Sequence, residues 1–154
     1  MKNRSYERKG NLYKKSLNNH TFKQRQFVIL GEQLYYYKKN TTGAQDKYFN
    51  LISLQNARIR ILEPTEAQLK QSSWYKHSFE FENDTRKWTI ACKSSQDLQQ
   101  WHYTIYTQID QVAKRIAIQR MNVQIQEKEV EKSIVDGQVV QKLIKPSSVM
   151  FDPL

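Results

Sequence analysis

Seven short runs, most of them alternating between apolar and polar residues and one of them continuously apolar, are spread over the first 92 positions of the chain. Alternation with a period of two predicts β-strands with one buried face. The runs occupy residues 11–14, 26–30, 33–38, 48–51, 57–62, 77–82 and 87–92. Gly31 and Glu32 predict a tight hairpin after the second run, and the polar residues 63–73, with Pro64, predict a loop before the sixth. Seven closely spaced strands predict a small antiparallel barrel or sandwich.

The period changes after residue 94, where apolar residues recur every three to four positions. Ser94 followed by Asp97 resembles the capping box that starts a helix. The predicted buried face of this helix comprises Leu98, Trp101, Ile105, Ile109 or Gln108, Val112 and Ile116. No glycine or proline lies between residues 65 and 136, so we expect a long helix that begins near Ser95. Its far end is open, because residues 121–125 also alternate and Asp136-Gly137 fits either a helix stop or a hairpin turn.

The remaining residues predict an extended tail that docks on other proteins. We divide the chain into a β-rich domain at 8–112, a helix continuation at 113–135 and a docking tail at 136–154. Two of the three prolines, Pro146 and Pro153, keep parts of this tail extended. Its apolar side chains form clusters too short to build a core, and these are the candidate protein-docking residues: Val139, Val140, Leu143, Ile144, Met150 and Phe151.

The charge of the chain is strongly positive and one-sided. Among its 154 residues the formal net charge is +10. Residues 1–60 hold 13 Lys or Arg against 3 Asp or Glu, so they carry the whole excess of ten. Such asymmetry indicates an acidic partner: an anionic lipid, a nucleic acid or an acidic protein surface.

Other sequence features restrict the class of protein. No run of 18 apolar residues predicts a membrane span, and no apolar stretch follows the first nine residues as a secretory signal requires. Cys92 is the only cysteine, so it has no internal disulfide partner, which fits a reducing compartment. We therefore expect a cytoplasmic protein.

Candidate chemistry is sparse. His20, His77 and His102 are scattered and no second cysteine joins them, so no zinc site is predicted. Cys92 lies in an apolar run and is interpreted as a core residue. With four glycines and no glycine-rich loop, no nucleotide cradle is predicted either. We expect no catalytic activity, no metal and no cofactor.

Four sequence segments resemble one known family. Gly10–Lys15 resembles the first-strand pattern Gly-x-Leu-x-Lys of pleckstrin-homology (PH) domains, and Lys23–Leu30 and Leu34–Lys38 resemble the second and third strands. Trp101 stands where the family keeps a helical tryptophan that plugs the open end of the barrel. The resemblance covers residues 8–112. It implies a seven-stranded antiparallel barrel or sandwich followed by a helix.

The resemblance also implies a phosphate-binding surface. In PH domains that bind phosphoinositides, a lysine late in the first strand, basic residues opening the second and a tyrosine in the third contact the headgroup. The matching residues here are Lys14, Lys23, Arg25 and Tyr36, and we add Lys15 and Lys47 to the candidate phosphate or acidic-partner surface. Arginine can hold a phosphate through two parallel hydrogen bonds, and lysine adds a point charge.

Nucleic acid is the least favoured of the acidic partners. Residues 35–37 are three tyrosines that could stack on bases. Alternation instead places one side of this triplet in the core, and an oligonucleotide-binding barrel has five strands rather than seven.

Two functions from different classes remain. The first is a non-catalytic adaptor or scaffold subunit of a larger protein assembly, whose basic face lies on an acidic protein surface such as a cytoskeletal filament. The alternative is a membrane-targeting module that binds phosphoinositide or another anionic lipid, to which each basic residue near the surface contributes about 1 kcal/mol. The protein would then be cytoplasmic and associated with either the cytoskeleton or a membrane.

Overall fold

Seven antiparallel strands form one sheet in the computed structural model, which describes residues 7–38 and 50–135. The strands are β1 (Glu7–Lys15), β2 (Phe22–Leu30), β3 (Gln33–Tyr37), β4 (Asn50–Ile52), β5 (Arg58–Ile61), β6 (Ser78–Glu82) and β7 (Lys87–Ala91). Their order across the sheet is β4-β3-β2-β1-β7-β6-β5. The predicted seven-stranded antiparallel fold is confirmed. Among the described residues the sheet is open, because β4 and β5 are its edges and do not pair with each other.

The longest ladder of the sheet joins β1 to β2 and fixes which residues share a face. Every residue from Glu7 to Lys15 has a partner in β2. Residues directly opposite each other in an antiparallel pair point to the same side. We call the side that carries the buried apolar core the inner face; its fully buried residues include Leu12, Phe27, Ile29, Leu34, Phe79, Phe81 and Ile90.

The hairpin between β2 and β3 has the predicted two-residue turn. Gly31 adopts a φ of 60°, in the left-handed region that favours glycine because it has no Cβ. Pairing then resumes between Leu30 and Gln33. The turn therefore sets the register that places β3 beside β2.

The predicted loop at residues 63–73 is wrong. It contains the short helix α1 (Glu66–Gln71), and a 3₁₀ helix follows at Ser73–His77. Thr65 and Gln68 form a full capping box, in which each side chain accepts a hydrogen bond from the other residue's backbone N–H. This local signal starts a helix without any apolar stripe, and no residue of α1 is buried.

Helix α2 (Ser95–Val135) confirms the predicted long C-terminal helix and its start. The Ser94 hydroxyl accepts a hydrogen bond from the backbone N–H of Asp97 at 3.1 Å. Arg8 of β1 joins the same end of the helix, with an ion pair of 3.3 Å to Asp97 and its guanidinium carbon 5.2 Å from the ring centroid of Trp101. Trp101 is 1% exposed, as predicted.

The buried face of α2 contains two polar residues, Thr104 and Gln108. Of the two alternatives that the sequence left open, Gln108 rather than Ile109 continues this face, and its side chain is fully buried. Neither its amide nitrogen nor its amide oxygen has a hydrogen-bond partner among the described residues. An unmet amide of this kind costs about 1–3 kcal/mol.

Cys92 follows β7 and lies in the core, as expected from the sequence. It is 2% exposed. Burial, with a smaller contribution from the negative charge of Asp97, raises the pKa of its thiol to about 12, against an opposing effect of Arg8. The thiol therefore stays protonated at neutral pH.

The chain divides into two compact units, Met1–Ala113 and Lys114–Leu154. Within the second unit α2 continues as a regular helix to Val135, so residues 121–125 are helical and not a strand. The predicted docking residues Val139, Val140, Leu143, Ile144, Met150 and Phe151, and the turn at Asp136-Gly137, lie outside the described residues. In residues 7–38 and 50–135, no helix combines the length and apolar character that a bilayer span needs.

Replacement of Trp101 by alanine tests this packing. Because the indole is fully buried, Trp101→Ala is expected to lower the free energy of unfolding by about 3–5 kcal/mol in urea denaturation. Tyr103→Ala is the matched control, since Tyr103 is an aromatic residue on the same helix but 63% exposed, and a change below about 0.5 kcal/mol is expected. Equal stability of the two variants would contradict the placement of α2.

Candidate anion-binding site

Three cationic side chains share the inner face at the end where β1 leads into β2. Lys14 lies opposite Lys23 in the β1–β2 ladder and opposite Ile90 in the β1–β7 ladder. Arg25 lies opposite the core residue Leu12 and therefore on the same side. The inner face thus changes along β1 and β2 from apolar core to positive charge.

A fourth cation reaches the same region from the turn between β6 and β7. Trp88 lies opposite the core residue Phe81 and is therefore on the inner face. Arg86 lies two positions before Trp88 in the chain. The buried Asn83 organises this turn, because its side-chain oxygen accepts hydrogen bonds from the backbone N–H groups of Thr85 at 2.8 Å and Arg86 at 3.2 Å. Asn83 thereby orients Arg86.

We call Lys14, Lys23, Arg25 and Arg86 the cationic cluster, because their charges act on one another. Partial burial lowers the pKa of the Lys14 ammonium group below its ordinary value. The positive charges of the other three members lower it further, Arg86 the most. None of the four forms an ion pair with a carboxylate in the part of the chain that the structure describes. The cluster is therefore a concentrated, uncompensated positive charge.

Aromatic rings lie beneath these charges. The Lys14 nitrogen is 5.6 Å from the ring centroid of Tyr36, and that ring stacks on Phe27 at 5.1 Å. The Arg86 guanidinium carbon is 4.7 Å from the ring centroid of Trp88. Cation–π contacts of this length hold the charged groups in place without neutralising them.

Two N–H donors in this region lack acceptors. The Arg86 Nε and the Trp88 Nε1 atoms are buried, and neither has a hydrogen-bond partner among the described residues. Buried donors are nearly always paired in folded proteins, so these two are available to an acceptor outside the chain. The described residues hold other buried polar atoms without partners, the Arg8 Nε and the Gln108 amide, so the feature is not unique to this region.

The sequence-predicted site residues fall into three groups. Lys14, Lys23 and Arg25 are brought together, and Tyr36 lies under Lys14 but is only 6% exposed, so its role is to support the lysine. Lys15 is on the opposite face, where its ammonium group donates to the Ser16 carbonyl at 3.0 Å. Lys47 lies outside the described residues. Whether any of them binds a ligand stays a prediction.

Sequence reasoning missed Arg86. The signal was present, because the alternation that buries Trp88 and Ile90 also places residue 86 on the inner side when it is extended backwards into the turn. We stopped the seventh strand at Lys87 and interpreted the residues before it only as a connection. The missed residue is the largest Coulombic influence on Lys14.

A separate groove lies between β5 and α2. Its volume is about 410 Å³, and its lining consists of Ala57, Arg58, Ile59, Arg60, Glu80, Glu82, Tyr106 and Ile109. The basic residues there are neutralised, since Arg58 pairs with Glu82 at 3.1 Å and Arg60 with Glu80 at 2.9 Å. The paired charges of this groove give an anion no net attraction.

The described residues provide little for metal binding or nucleophilic chemistry. In residues 7–38 and 50–135, no three His, Cys, Asp or Glu side chains are grouped as a metal ion would require. His20 is engaged with the Tyr75 hydroxyl at 2.6 Å.

The loss of folding stability caused by like charges in the cluster can be measured with a variant of Lys14. Lys14→Met is expected to raise the free energy of unfolding near neutral pH, because it removes a partly buried cation from beside three others. The folded-state pKa of Lys14 lies below the ordinary value of 10.5. Between these two pKa values the unfolded state binds more protons than the folded state, so the stability of the parent protein rises with pH there. The cost is fully present below the folded-state pKa and disappears as the pH rises through the unfolded-state pKa. The gain in stability, measured by urea denaturation, is therefore expected to shrink as the pH approaches 10.5.

Lys15→Met is the matched control for this measurement, since Lys15 is the next residue but points to the opposite face. It is expected to change stability by less than about 0.5 kcal/mol at every pH. A gain for Lys14→Met that does not depend on pH, or one that Lys15→Met reproduces, would contradict the assignment of the cost to the cluster.

The fold resembles solved PH domains. The C-terminal PH domain of human pleckstrin is 17% identical, with 67% of this chain and 86% of that chain covered and a TM-score of 0.54. The same pleckstrin domain in complex with D-myo-Ins(1,2,3,5,6)P5 is 16% identical over 68% and 97% of the two chains, with a TM-score of 0.51. The PH domain of ArhGAP27 is 17% identical over 68% and 99%, with a TM-score of 0.50. At these identities the likeness establishes the fold.

No curated protein matches the sequence. The family model described as PH domain matches residues 6–110, about the extent of the resemblance noted in the sequence. This match covers more than half of the chain and coincides with the seven strands and the first part of α2. The chain therefore belongs to the PH domain family.

Proposed function

We propose that the protein is a non-catalytic recognition module whose cationic cluster binds a polyphosphorylated group, such as the inositol phosphate headgroup of an anionic lipid. The observation that carries the proposal is the convergence of four cations on one end of the inner face beside two unpaired buried N–H donors. PH domains are modules for protein or phosphoinositide binding, so the proposal refines the general role of the family.

The chemistry of the cluster suits several phosphates better than one carboxylate. Arg25 and Arg86 can each form paired, charge-assisted hydrogen bonds to phosphate oxygens, and the two lysines add charge without fixed geometry. The like charges that destabilise the empty cluster are compensated when a polyanion binds. Affinity is therefore expected to fall as the salt concentration rises.

A membrane-bound form of the ligand is favoured by the segment beside the cluster. The connection between β1 and β2 carries Leu17, which is 69% exposed. An exposed leucine next to basic residues can enter the interfacial layer of a bilayer while the cations contact headgroups. The pleckstrin complex with D-myo-Ins(1,2,3,5,6)P5 motivates the choice of a soluble inositol phosphate as the second probe.

Charge reversal in the cluster tests this proposal. The double variant Lys14→Glu with Arg25→Glu is expected to abolish binding to vesicles that contain phosphoinositide and to D-myo-Ins(1,2,3,5,6)P5, because it replaces two attractive charges with two repulsive ones. Binding is measured by vesicle sedimentation and by calorimetry. Lys15→Glu, on the opposite face of the same strand, is the control and is expected to retain binding.

Lys15→Glu should keep the stability of the parent protein within about 0.5 kcal/mol. The double variant should be no less stable than the parent, because it removes like charges from the cluster. If the double variant binds as well as the parent, the site lies elsewhere. If the Lys15→Glu control loses binding to the same extent, the effect reflects overall charge and not the cluster.

A second candidate function is that of an adaptor subunit in a larger protein assembly, docked on an acidic protein surface such as a cytoskeletal filament. The specific observation in its favour is that α2 extends past residue 113 with exposed apolar side chains, among them Met121 at 57% and Ile125 at 50% exposure. A module that only reads lipid headgroups has no need of such a helix or of the apolar clusters in residues 136–154.

Truncation separates the two functions. A chain that ends at residue 115 keeps the strands and the buried part of α2, and it is expected to bind phosphoinositide vesicles as tightly as the full chain if the cluster is the whole site. Under the adaptor function, the same truncation is expected to prevent co-purification with the native assembly. Full incorporation of the truncated chain would exclude the adaptor role, and loss of lipid binding in both chains would exclude the lipid role.

A further inference from the structure

Two opposite faces of α2 carry apolar side chains after residue 113, and one of them is a stripe with a regular repeat; the other comprises Ile118, Met121 and Ile125. Ile116, Val123 and Val130 are spaced by seven residues, which places them on one face of a helix. Val123 is 52% exposed and Val130 is 42% exposed, while Ile116 is half-buried. In coiled coils apolar residues repeat at two positions of each heptad. This stripe supplies one of these positions, and Gln119 and Gln126 occupy the other.

The charges beside this stripe change sign along the helix. Residues 114–122 contain three Lys or Arg and no carboxylate, whereas residues 124–132 contain three Glu and two Lys. Arg120 and Glu127 flank the stripe on the same side, four residues after Ile116 and four after Val123. Neither forms an ion pair with any residue in the described ranges.

We propose that two copies of this chain associate through residues 116–130 of α2 as an antiparallel helix pair centred on Val123. In this arrangement Val123 lies opposite Val123 of the second copy, and Ile116 lies opposite Val130 of the second copy. Gln119 then faces Gln126 of the second copy, where two amides can exchange hydrogen bonds. The apolar stripes of the two copies then form one continuous interface with two-fold symmetry, which we call the seam.

Charge complementarity selects the antiparallel orientation. It places Arg120 beside Glu127 of the second copy, and the two-fold axis repeats that attractive pair at the other end of the seam. A parallel, in-register pair would instead place Arg115 beside Arg120 of the second copy, which is repulsive. The charges between residues 115 and 127 therefore favour the antiparallel orientation and oppose the parallel one.

Self-association would join two cationic clusters in one particle, which raises avidity for a surface that offers several anionic groups. The inference does not depend on the proposed ligand, since its evidence lies entirely in residues 114–132. Failure of anion binding and failure of self-association are therefore separate outcomes.

Sedimentation velocity of the full chain over a range of concentrations tests the proposal. The parent protein is expected to dimerise. Arg120→Glu and Glu127→Arg are each expected to weaken the dimer about tenfold, because each turns two attractive pairs into two repulsive ones. The double variant restores opposite charges at both pairs and is expected to return to within about threefold of the parent.

Two further variants control for folding and for the position of the seam. Val123→Glu places two carboxylates at the two-fold axis and is expected to abolish the dimer, whereas Gln124→Glu, one residue away and off the seam, is expected to leave it unchanged. Circular dichroism checks that helix content is equal in all variants. A parent protein that is monomeric at every concentration, a dimer that survives Val123→Glu, or a dimer strengthened by Arg120→Glu, as a parallel pair requires, would each overturn the proposal.

Discussion

The register between β1 and β2 is the constraint on which both the core and the cationic cluster depend. Because neighbouring residues in a strand point to opposite faces, the ladder that buries Leu12 and Phe27 also places Lys14 and Arg25 on the inner side. A slip of one residue would expose the core and move these cations to the outer face together. The core and the placement of the cationic cluster are therefore specified by the same set of backbone hydrogen bonds.

This arrangement has an energetic cost inside the domain. Lys14 is partly buried among like charges, and the N–H donors of Arg86 and Trp88 are buried without acceptors. A chain optimised only for stability would place neutral, well-packed side chains at such positions. The contacts of Arg8 with Asp97 and Trp101, which tie β1 to the start of α2, lie in a different part of the unit.

Much of the fold could be predicted because its signals are local. Alternation predicted the strands, and the Ser94–Asp97 spacing predicted the start of α2. Helix α1 was missed because it depends on the Thr65 capping box and has no apolar periodicity to detect. Whether the sheet closes could not be predicted, since closure depends on the separation of two distant edge strands. Arg86 was missed because we did not extend the alternation of β7 backwards into the turn that Asn83 organises.

The burial of Cys92 has a practical consequence for attaching a fluorescent label to the protein. It is the single cysteine of the chain, it is 2% exposed, and burial raises the pKa of its thiol to about 12. Maleimides and other alkylating reagents attack the thiolate, so the native protein resists them while it is folded. A cysteine introduced at an exposed position such as Asn18, between β1 and β2, would therefore accept a fluorophore selectively without removal of the natural one.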